Sequence, residues 1–371
     1  MNNRRLRKLC YLGLSLCLML PWPSAFAVCD WPAWRAFKNT YISEQGRVID
    51  PAGGRDITTS EGQSYGLFFA LVANDQEAFS KLLEWTENNL AQGDLTARLP
   101  AWLWGENEQQ QWEVLDANSA ADSDLWIAYN LLEAGRLWNN RRYQVLGTLL
   151  LQRIGREEVV DIPKLGTMLL PAPIGFVDEN RWTLNLSYLP PQLLARFASF
   201  NGPWQKLEKN YLTLLQGAAP SGLVPDWIVW DQEKGWQPAS PQGSSGSYDA
   251  IRNYLWVGML AKDTPQRESI LAHLQPMAEI VAKQQQVPEH INTLTGHSEG
   301  QGPVGFSAAL LPFLHDTELA PLLLKRLANA EFDNHAYYDT VLRLFGEGWS
   351  EDRYRFNSKG KLVIEHPSCK K

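Results

Sequence analysis

Carboxylates stand at three places where the sequence predicts the start of an apolar helix. They are Glu61, the pair Asp122 and Asp124, and Asp249. Two carboxyl groups are what the cleavage of a glycosidic bond requires: a protonated one donates to the leaving oxygen, while an ionised one activates water or attacks directly. The presence of these carboxylates at three predicted helix starts therefore suggests glycoside hydrolysis, which the rest of the sequence can support or oppose.

Each of the three helix starts carries a serine that can serve as its N-cap. Ser60 precedes the first helix and Gln63 follows three residues later, which predicts a capping box. Ser119 and Ser247 are the corresponding N-cap candidates for the other two helices. An acidic residue in a first turn is favoured by the helix dipole alone, so each site taken singly indicates no more than a capping feature.

Together, the three sites could provide the general acid and the general base of a hydrolase. A helix N-terminus favours an anion, which helps a base but opposes an acid that must stay protonated. We expect Glu61 to be the acid, with its pKa raised by burial or by the nearby charge of Asp122 or Asp124. The residues alone leave Asp122 and Asp249 as alternatives for the base.

The elements that must position these residues are predicted to be mainly helices, because apolar residues recur at helical spacing along most of the sequence. One such stripe is Leu125, Ala128, Tyr129 and Leu132. Strand signals are few, and only 47–50 and 223–236 suggest short hairpins. Without a Gly/Ser-rich linker or a 34-residue repeat, the pattern predicts an all-α domain of helical hairpins closed into a ring. The predicted helices are 30–40, 61–73, 75–91, 119–138, 140–155, 190–200, 203–216, 247–261, 266–286 (with a break or kink at Pro276), 305–315, 317–329 and 337–346.

The first 27 residues have the order of a secretory signal peptide. Four basic residues precede an apolar run from Leu9 to about Leu20, and Ala25-Phe26-Ala27 is a cleavage signal. The run is short for a membrane span, which makes an uncleaved anchor the weaker alternative. The sequence predicts an exported chain, periplasmic or secreted, with one domain over residues 28–371 and no stable membrane insertion.

The charge and composition of that domain indicate which classes of ligand it can bind. Removing the four basic residues of the signal from a net charge of −7 leaves −11, which argues against nucleic acid. Sixteen tryptophans suit stacking on sugar rings, although tryptophan also fills cores. Cys29 and Cys369 can form a disulfide or stay free. His290 and His297 have no ligand spacing around them, so we expect neither a metal nor a cofactor.

Four ordered motifs resemble glycoside hydrolase family 8, and in particular the periplasmic cellulases that accompany bacterial cellulose synthases. The motifs span most of residues 28–371 in the family's order. They are Thr59-Ser60-Glu61-Gly62-Gln63-Ser64-Tyr65-Gly66, Ala120-Ala121-Asp122-Ser123-Asp124 with the helix that follows it, Ser187-Tyr188-Leu189-Pro190, and Tyr248-Asp249-Ala250-Ile251-Arg252.

The resemblance implies an (α/α)6 barrel and an inverting, endo-acting β-1,4-glucanase. It implies Glu61 as the acid, Asp249 as the base and Asp122 as the group that orients the water and the distorted sugar. It implies further that Tyr188 and Arg252 support this arrangement. Glucan-binding residues would be Trp102, Trp104 and Tyr338, of which Trp104 is favoured. The family context also suggests a monomer that works alongside a cellulose synthase complex.

The signature helix departs from the family pattern at Ala121, Ser123 and Asn130, where no carboxylate is lost. Two other functions stay open at the level of sequence. One is a family relative that acts on xylan, chitosan or mixed-linkage glucan. The other is a glucan-binding subunit of a cellulose export complex, against which the acid and base set argues.

Overall fold

The computed structural model describes residues 29–51, 54–240, 244–331, 333 and 335–364. The predicted signal peptide lies outside these residues. The described residues form thirteen α-helices. They are α1 (Pro32–Tyr41), α2 (Ser60–Val72), α3 (Gln76–Leu90), α4 (Ala121–Leu137), α5 (Arg141–Glu157), α6 (Pro191–Phe197), α7 (Trp204–Ala218), α8 (Ile251–Gly258), α9 (Arg267–His273), α10 (Gln275–Gln284), α11 (Val304–Leu314), α12 (Ala320–Ala328) and α13 (Tyr337–Ser350).

Burial divides the helices into an inner and an outer set. Every residue of α2 except Glu61 is buried, and α8 is buried along its whole length. The outer helices α3, α5, α7 and α12 instead bury one stripe. A helix that is apolar all round must lie inside a structure, whereas an amphipathic helix covers it.

The two sets alternate along the chain and make an (α/α)6 barrel. The inner helices are α2, α4, α6, α8, α11 and α13, and each follows an outer one. Phe345 of α13 closes the ring by contacting Tyr65 and Phe69 of α2, with ring centroids 5.1 and 4.7 Å apart. The predicted all-α ring is therefore confirmed. The predicted helix over 266–286 is two helices, α9 and α10, and Pro276 lies in the first turn of the second.

Short antiparallel strands occupy the loops in greater number than predicted. The 223–236 region does contain a hairpin, β8 with β9, whereas 47–50 makes only isolated bridges at Val48 and Asp50. The strands are β1 (Thr58–Thr59), β2 (Leu103–Glu106), β3 (Trp112–Asp116), β4 (Val159–Ile162), β5 (Gly166–Leu169), β6 (Val177–Asp178), β7 (Arg181–Leu184), β8 (Ile228–Asp231), β9 (Gly235–Pro238), β10 (Ser245–Gly246), β11 (His290–Asn292), β12 (Ser298–Glu299), β13 (Arg355–Phe356) and β14 (Leu362–Val363).

The last hairpin, β13 with β14, packs against the C-terminal halves of α4 and α6. Tyr129 of α4 donates a hydrogen bond from its hydroxyl to Gly360 O at 2.8 Å. Glu133 of α4 is fully buried and accepts from Leu362 N at 2.9 Å and from Arg196 of α6 at 2.6 Å. The hairpin therefore ties α4 to α6 at the end of the barrel where those helices terminate.

The N-terminal end of the described chain is also fixed. Cys29 is buried and disulfide-bonded, and its backbone N–H donates to Ala73 O at 2.8 Å. Cys369, its candidate partner from sequence, lies outside the described residues. Among the helices that the structure describes, none combines the length and apolar character needed to cross a membrane.

Candidate active site

The inner helices begin at the same end of the barrel, and their first turns carry the predicted site residues. Glu61 opens α2, Asp122 opens α4, Tyr188 lies just before α6 and Tyr338 opens α13. Asp249 lies in the turn that leads into α8. Sequence positions that are nearly 280 residues apart therefore meet in one place, as a barrel of parallel inner helices requires.

Arg252 is the centre of this group, and its side chain is only 6% exposed. Nη1 donates to Glu61 Oε2 at 2.6 Å, and Nη2 donates to Asp249 Oδ1 at 2.6 Å. Nη2 also donates to Ser187 Oγ at 3.0 Å and lies 3.9 Å from Asp122 Oδ2. A planar guanidinium with several fixed donors is suited to holding two carboxylates in one geometry. The structure thus brings together all three predicted carboxylates.

The start of α2 fixes Glu61, but not through the predicted capping box. Thr59 is the N-cap, and its hydroxyl accepts from Gly62 N at 3.0 Å. Ser60 is the first helical residue, so the predicted cap is wrong by one position. Gln63 accepts instead from Val48 N, and its amide donates to Thr86 Oγ1 at 2.9 Å. It joins α2 to α3 and to the 46–48 segment rather than closing a local box.

The environment of Glu61 favours its protonated form. Burial is the largest effect and raises the pKa of the carboxyl to about 7, although Arg252 opposes that rise. The charges of Asp122 and Asp249 raise it further. The ordinary pKa of a glutamate is about 4.3, so this side chain can carry a proton near neutral pH. This is the property that a general acid needs.

Asp122 lies deeper than Glu61, with a side chain only 6% exposed. Burial raises the pKa of its carboxyl, while Arg252 and the backbone N–H of Ser123, 2.7 Å from Oδ1, hold it down. Ser119 does not cap α4 as predicted, because its hydroxyl donates to Glu158 Oε1. Ala120 occupies the N-cap position and forms no side-chain capping bond.

The predicted cap of α8 is also wrong. The hydroxyl of Ser247 donates to Glu289 O at 2.6 Å rather than serving the helix. Asp226, from the segment before β8, accepts the backbone N–H groups of Ser247, Asp249 and Ala250. Asp226 falls within the 223–236 region that the sequence predicts as a hairpin. The hairpin begins two residues later, at Ile228.

Several aromatic side chains lie next to the group of carboxylates around Arg252. The Tyr188 ring lies 5.9 Å from the Arg252 guanidinium carbon and meets Trp227 edge-on at 5.9 Å. Trp227 stacks in turn on Phe176, with an interplanar angle of 12°. Tyr338 donates from its hydroxyl to Tyr248 O at 2.7 Å. Burial raises the pKa of both Tyr188 and Tyr338, so their hydroxyls stay protonated.

Trp102 and Trp104 lie beside the N-terminal end of α2. Trp102 O accepts from Ser60 N at 3.0 Å, and β2 pairs with β1, which leads directly into α2. Trp104 meets Trp112 at 5.2 Å between ring centroids, and the Arg47 guanidinium carbon lies 4.5 Å from the Trp104 centroid. Trp104 is therefore held within an aromatic and cationic cluster and retains part of its surface for solvent.

His290 and His297 lie on or beside the β11–β12 hairpin, each near a glutamate. His290 is 3.8 Å from Glu289 and His297 is 3.1 Å from Glu299. In the part of the chain that the structure describes, no group of three histidine, cysteine, aspartate or glutamate side chains is arranged to hold a metal ion.

Sequence reasoning missed two polar residues of the site. Ser187 accepts from Arg252, and its hydroxyl donates to Asn185 Oδ1 at 2.7 Å. It stands beside Tyr188 in the third motif, and that proximity was the available signal. Asp226 was assigned to the predicted hairpin, and no local pattern indicated its contacts, because its partners lie 21 to 24 residues further along the chain.

Comparison with known proteins identifies the family of the chain. The family model described as "Glycosyl hydrolases family 8" matches residues 8–352. The chain is 52% identical over 351 residues to an endoglucanase of Escherichia coli O157:H7, covering 95% of each chain.

Two solved structures have the same architecture. The endo-1,4-D-glucanase of Vibrio fischeri ES114 has a TM-score of 0.86 at 46% identity, covering 91% of this chain and 99% of that one. A family 8 endoglucanase of Klebsiella pneumoniae has a TM-score of 0.72 at 26% identity, covering 85% and 97%. With the family model matched over nearly its whole length, the chain belongs to glycosyl hydrolase family 8.

Proposed function

We propose that the protein is an endo-acting hydrolase of β-1,4-glucosidic bonds in cellulose or cello-oligosaccharides and that it inverts the anomeric centre. The observation that carries this proposal is the bridge of Arg252 between Glu61 and Asp249. One of these carboxyl groups has its pKa raised to about 7, which suits an acid. The similar proteins of E. coli and V. fischeri are named as an endoglucanase and an endo-1,4-D-glucanase.

The reaction divides the work among three carboxyl groups. Glu61 donates its proton to the glycosidic oxygen as the bond to the anomeric carbon breaks. Asp249 takes a proton from a water molecule, whose oxygen attacks the anomeric carbon from the opposite face. Asp122 orients the water and the distorted sugar. Inversion requires the Glu61 and Asp249 carboxyl groups to stand roughly 6.5–9.5 Å apart, with room for that water.

Aromatic rings supply the affinity for the glucan in this proposal. Trp102, Trp104 and Tyr338 bind glucose units, and Tyr188 and Arg252 hold the unit at the cleavage point. A flat ring offers a large apolar face to a pyranose, and tryptophan and tyrosine add a polar edge that can hydrogen-bond. The pairing of β2 with β1 supports this arrangement, because it holds the tryptophans beside the helix that carries Glu61.

Product analysis tests the mechanism directly. Cello-oligosaccharides are hydrolysed while NMR follows the first anomer formed. An α-anomer is expected from inversion. A β-anomer would contradict it and would give Asp249 the part of a nucleophile. A substrate panel of cellulose, xylan, chitosan and mixed-linkage glucan identifies the polymer, and cellulose-derived substrates are expected to react fastest.

Export is the second part of the proposal. Cleavage after Ala27 would release a single domain of residues 28–371, periplasmic or secreted, which acts as a monomer on glucan made by a cellulose synthase complex. The signal-like order of residues 1–27 supports this. Fractionation of the producing cell and the N-terminal sequence of the released protein test the site of cleavage. Size-exclusion chromatography tests the monomer.

A further inference from the structure

The turn that leads into α8 is held by a residue from another segment of the chain. Asp226 Oδ1 accepts the N–H groups of Ser247 at 2.8 Å, Asp249 at 3.0 Å and Ala250 at 2.8 Å. Backbone N–H groups in a turn outside a helix or sheet need an acceptor from elsewhere when they are shielded from water, and a carboxylate is a strong one. Here a single oxygen accepts three such N–H groups, and one of them belongs to Asp249 itself.

The segment that carries Asp226 is itself firmly placed. Its backbone N–H donates to Ser245 O at 2.8 Å, and Val224 N donates to the Tyr254 hydroxyl at 3.3 Å. The approach to the loop is so close that a Cβ at Gly246 would lie 2.3 Å from Val224 O. Asp226 is therefore anchored both to β10 and to the body of α8.

We propose that Asp226 is a positioning residue for Asp249, an inference that rests on the proposed role of Asp249 as the general base. Asp249 is held at two points. Asp226 fixes its backbone through the N–H group, and Arg252 binds its carboxylate. The backbone contact remains when substrate and water displace other contacts of the carboxylate. It fixes the direction from which Asp249 meets the attacking water.

The expected kinetic effect follows from this geometry. Without the acceptor at Asp226, three N–H groups lose their partner and the turn before α8 can shift. A misplacement of about 1 Å can cost on the order of a hundredfold in rate. Because Asp226 holds the reacting geometry rather than the glucan, kcat should fall while KM stays close to that of the wild type.

Three substitutions separate position from charge. Asp226→Asn keeps an acceptor oxygen in place and loses the charge, and we expect its kcat to stay near that of the wild type. Asp226→Glu keeps the charge but moves the oxygen by one methylene, and Asp226→Ala removes the acceptor. For both we expect kcat on cellopentaose to fall about tenfold to a hundredfold. A higher rate for Asp226→Glu than for Asp226→Asn would overturn the proposal, because charge would then be what matters.

The leaving group shows which half of the mechanism is affected. A 2,4-dinitrophenyl cellobioside needs little help from an acid, so a defect on the side of the base persists with this substrate. For Asp226→Glu and Asp226→Ala, the loss of kcat relative to the wild type is expected to be as large with this substrate as with cellopentaose. Full recovery on the activated substrate would contradict an action through Asp249.

Two further variants serve as controls. Asp231 accepts the N–H groups of Glu233 and Lys234 in the β8–β9 turn, at 2.9 and 3.0 Å. Asp231→Ala removes a similar contact elsewhere and should leave kcat unchanged. Asp249→Ala tests the proposed function separately. If it keeps its activity, the assignment of the base fails. If it is inactive while folded Asp226→Ala and Asp226→Glu turn over like the wild type, only the positioning role fails.

Discussion

At the scale of single residues, the protonation of Glu61 is decided by opposing effects of unequal size. The helix start and the guanidinium of Arg252 both favour the carboxylate. Burial and the neighbouring charges of Asp122 and Asp249 favour the neutral acid, and they prevail, since the pKa is raised to about 7. Arg252 therefore holds the Glu61 side chain in place without keeping it ionised.

This balance predicts the alkaline side of the pH profile. Glu61 must be protonated to act, so kcat/KM on cello-oligosaccharides should fall as the pH rises through about 7. The measurement is kcat/KM between pH 5 and 9. The decline should weaken with a 2,4-dinitrophenyl cellobioside, which does not need the proton. A flat profile through this range with cello-oligosaccharides would show that Glu61 is not the acid.

Replacing Glu61 tests the same residue more directly. Glu61→Gln keeps the shape and an acceptor for Arg252 but cannot donate a proton to the leaving group as an acid. General acid catalysis contributes about 10²- to 10⁴-fold, so activity on carboxymethylcellulose should fall by about that factor. Glu77→Gln, at an exposed position of α3, is the control and should be unaffected. Full activity of Glu61→Gln would contradict the enzymatic assignment.

At the scale of elements, the start of α4 depends on a second pair of carboxyl groups. Asp124 and Glu158 are both fully buried, and their side chains contact each other. Burial raises the pKa of Asp124 well above its ordinary value and that of Glu158 to about 8. The folded protein therefore keeps protons here that the unfolded chain releases at lower pH. The pair joins α4 to the residue that follows α5.

The stability of the fold should consequently fall as the pH rises. A folded pKa raised above the unfolded value gives stability that is complete below the unfolded pKa and declines up to the folded one. The window runs from about 4.5 to about 8 for Glu158. Glu158→Gln keeps an acceptor for Ser119 and cannot ionise, so its melting temperature should decline less across this window. Thermal unfolding at several pH values measures the difference.

The neighbouring residue provides a matched control for that experiment. Glu157 ends α5, is 38% exposed and pairs with Arg153. Glu157→Gln removes only a minor charge effect on the pKa values of Glu158 and Asp124 and leaves their burial intact, so its pH dependence should stay close to that of the wild type. If Glu158→Gln shows the same pH dependence as the wild type, the ionisation of this buried pair does not control stability.

Sequence predicted the helices more reliably than the way in which they begin. Periodicity found the inner and outer helices, because burial of one face or of the whole surface leaves a pattern within a few turns. The three predicted serine caps were wrong. Thr59 caps α2, Ser119 bonds to Glu158 and Ser247 bonds to Glu289. Local capping rules do not include partners that the fold brings from elsewhere, as it does at Asp226.

At the scale of the molecule, one end of the barrel carries the predicted catalytic residues and the other end is closed. The predicted carboxylates converged because a ring of helices running in the same direction must bring their first turns together. The other end depends on buried polar contacts that leave no periodic pattern. Glu133 accepts from Arg136, Arg196 and Leu362 N at this end, and a buried charge is tolerated only when it is so paired.

Gly360 in the β13–β14 turn tests the importance of this closure. Its φ is +66°, and an added Cβ would lie 1.8 Å from the backbone oxygen of Gln192. Gly296 has a similar φ of +72° but no atom within 4 Å of an added Cβ. Gly296→Ala should therefore cost only the conformational strain, about 1–2 kcal/mol. Gly360→Ala adds steric crowding, which typically costs a further 1–3 kcal/mol or so.

Chemical denaturation measures the free energy of unfolding of both glycine variants. Because the conformational strain is common to both, the difference between their losses of stability gives the cost of the steric crowding at Gly360. The site lies at the opposite end of the barrel, so folded Gly360→Ala should keep its kcat well below its melting temperature while unfolding at lower denaturant. Equal losses of stability for the two variants would show that the hairpin can move away from α6 at little cost. A drop in the kcat of folded Gly360→Ala would show instead that closure at this end holds Asp122 and Tyr188 in place at the other.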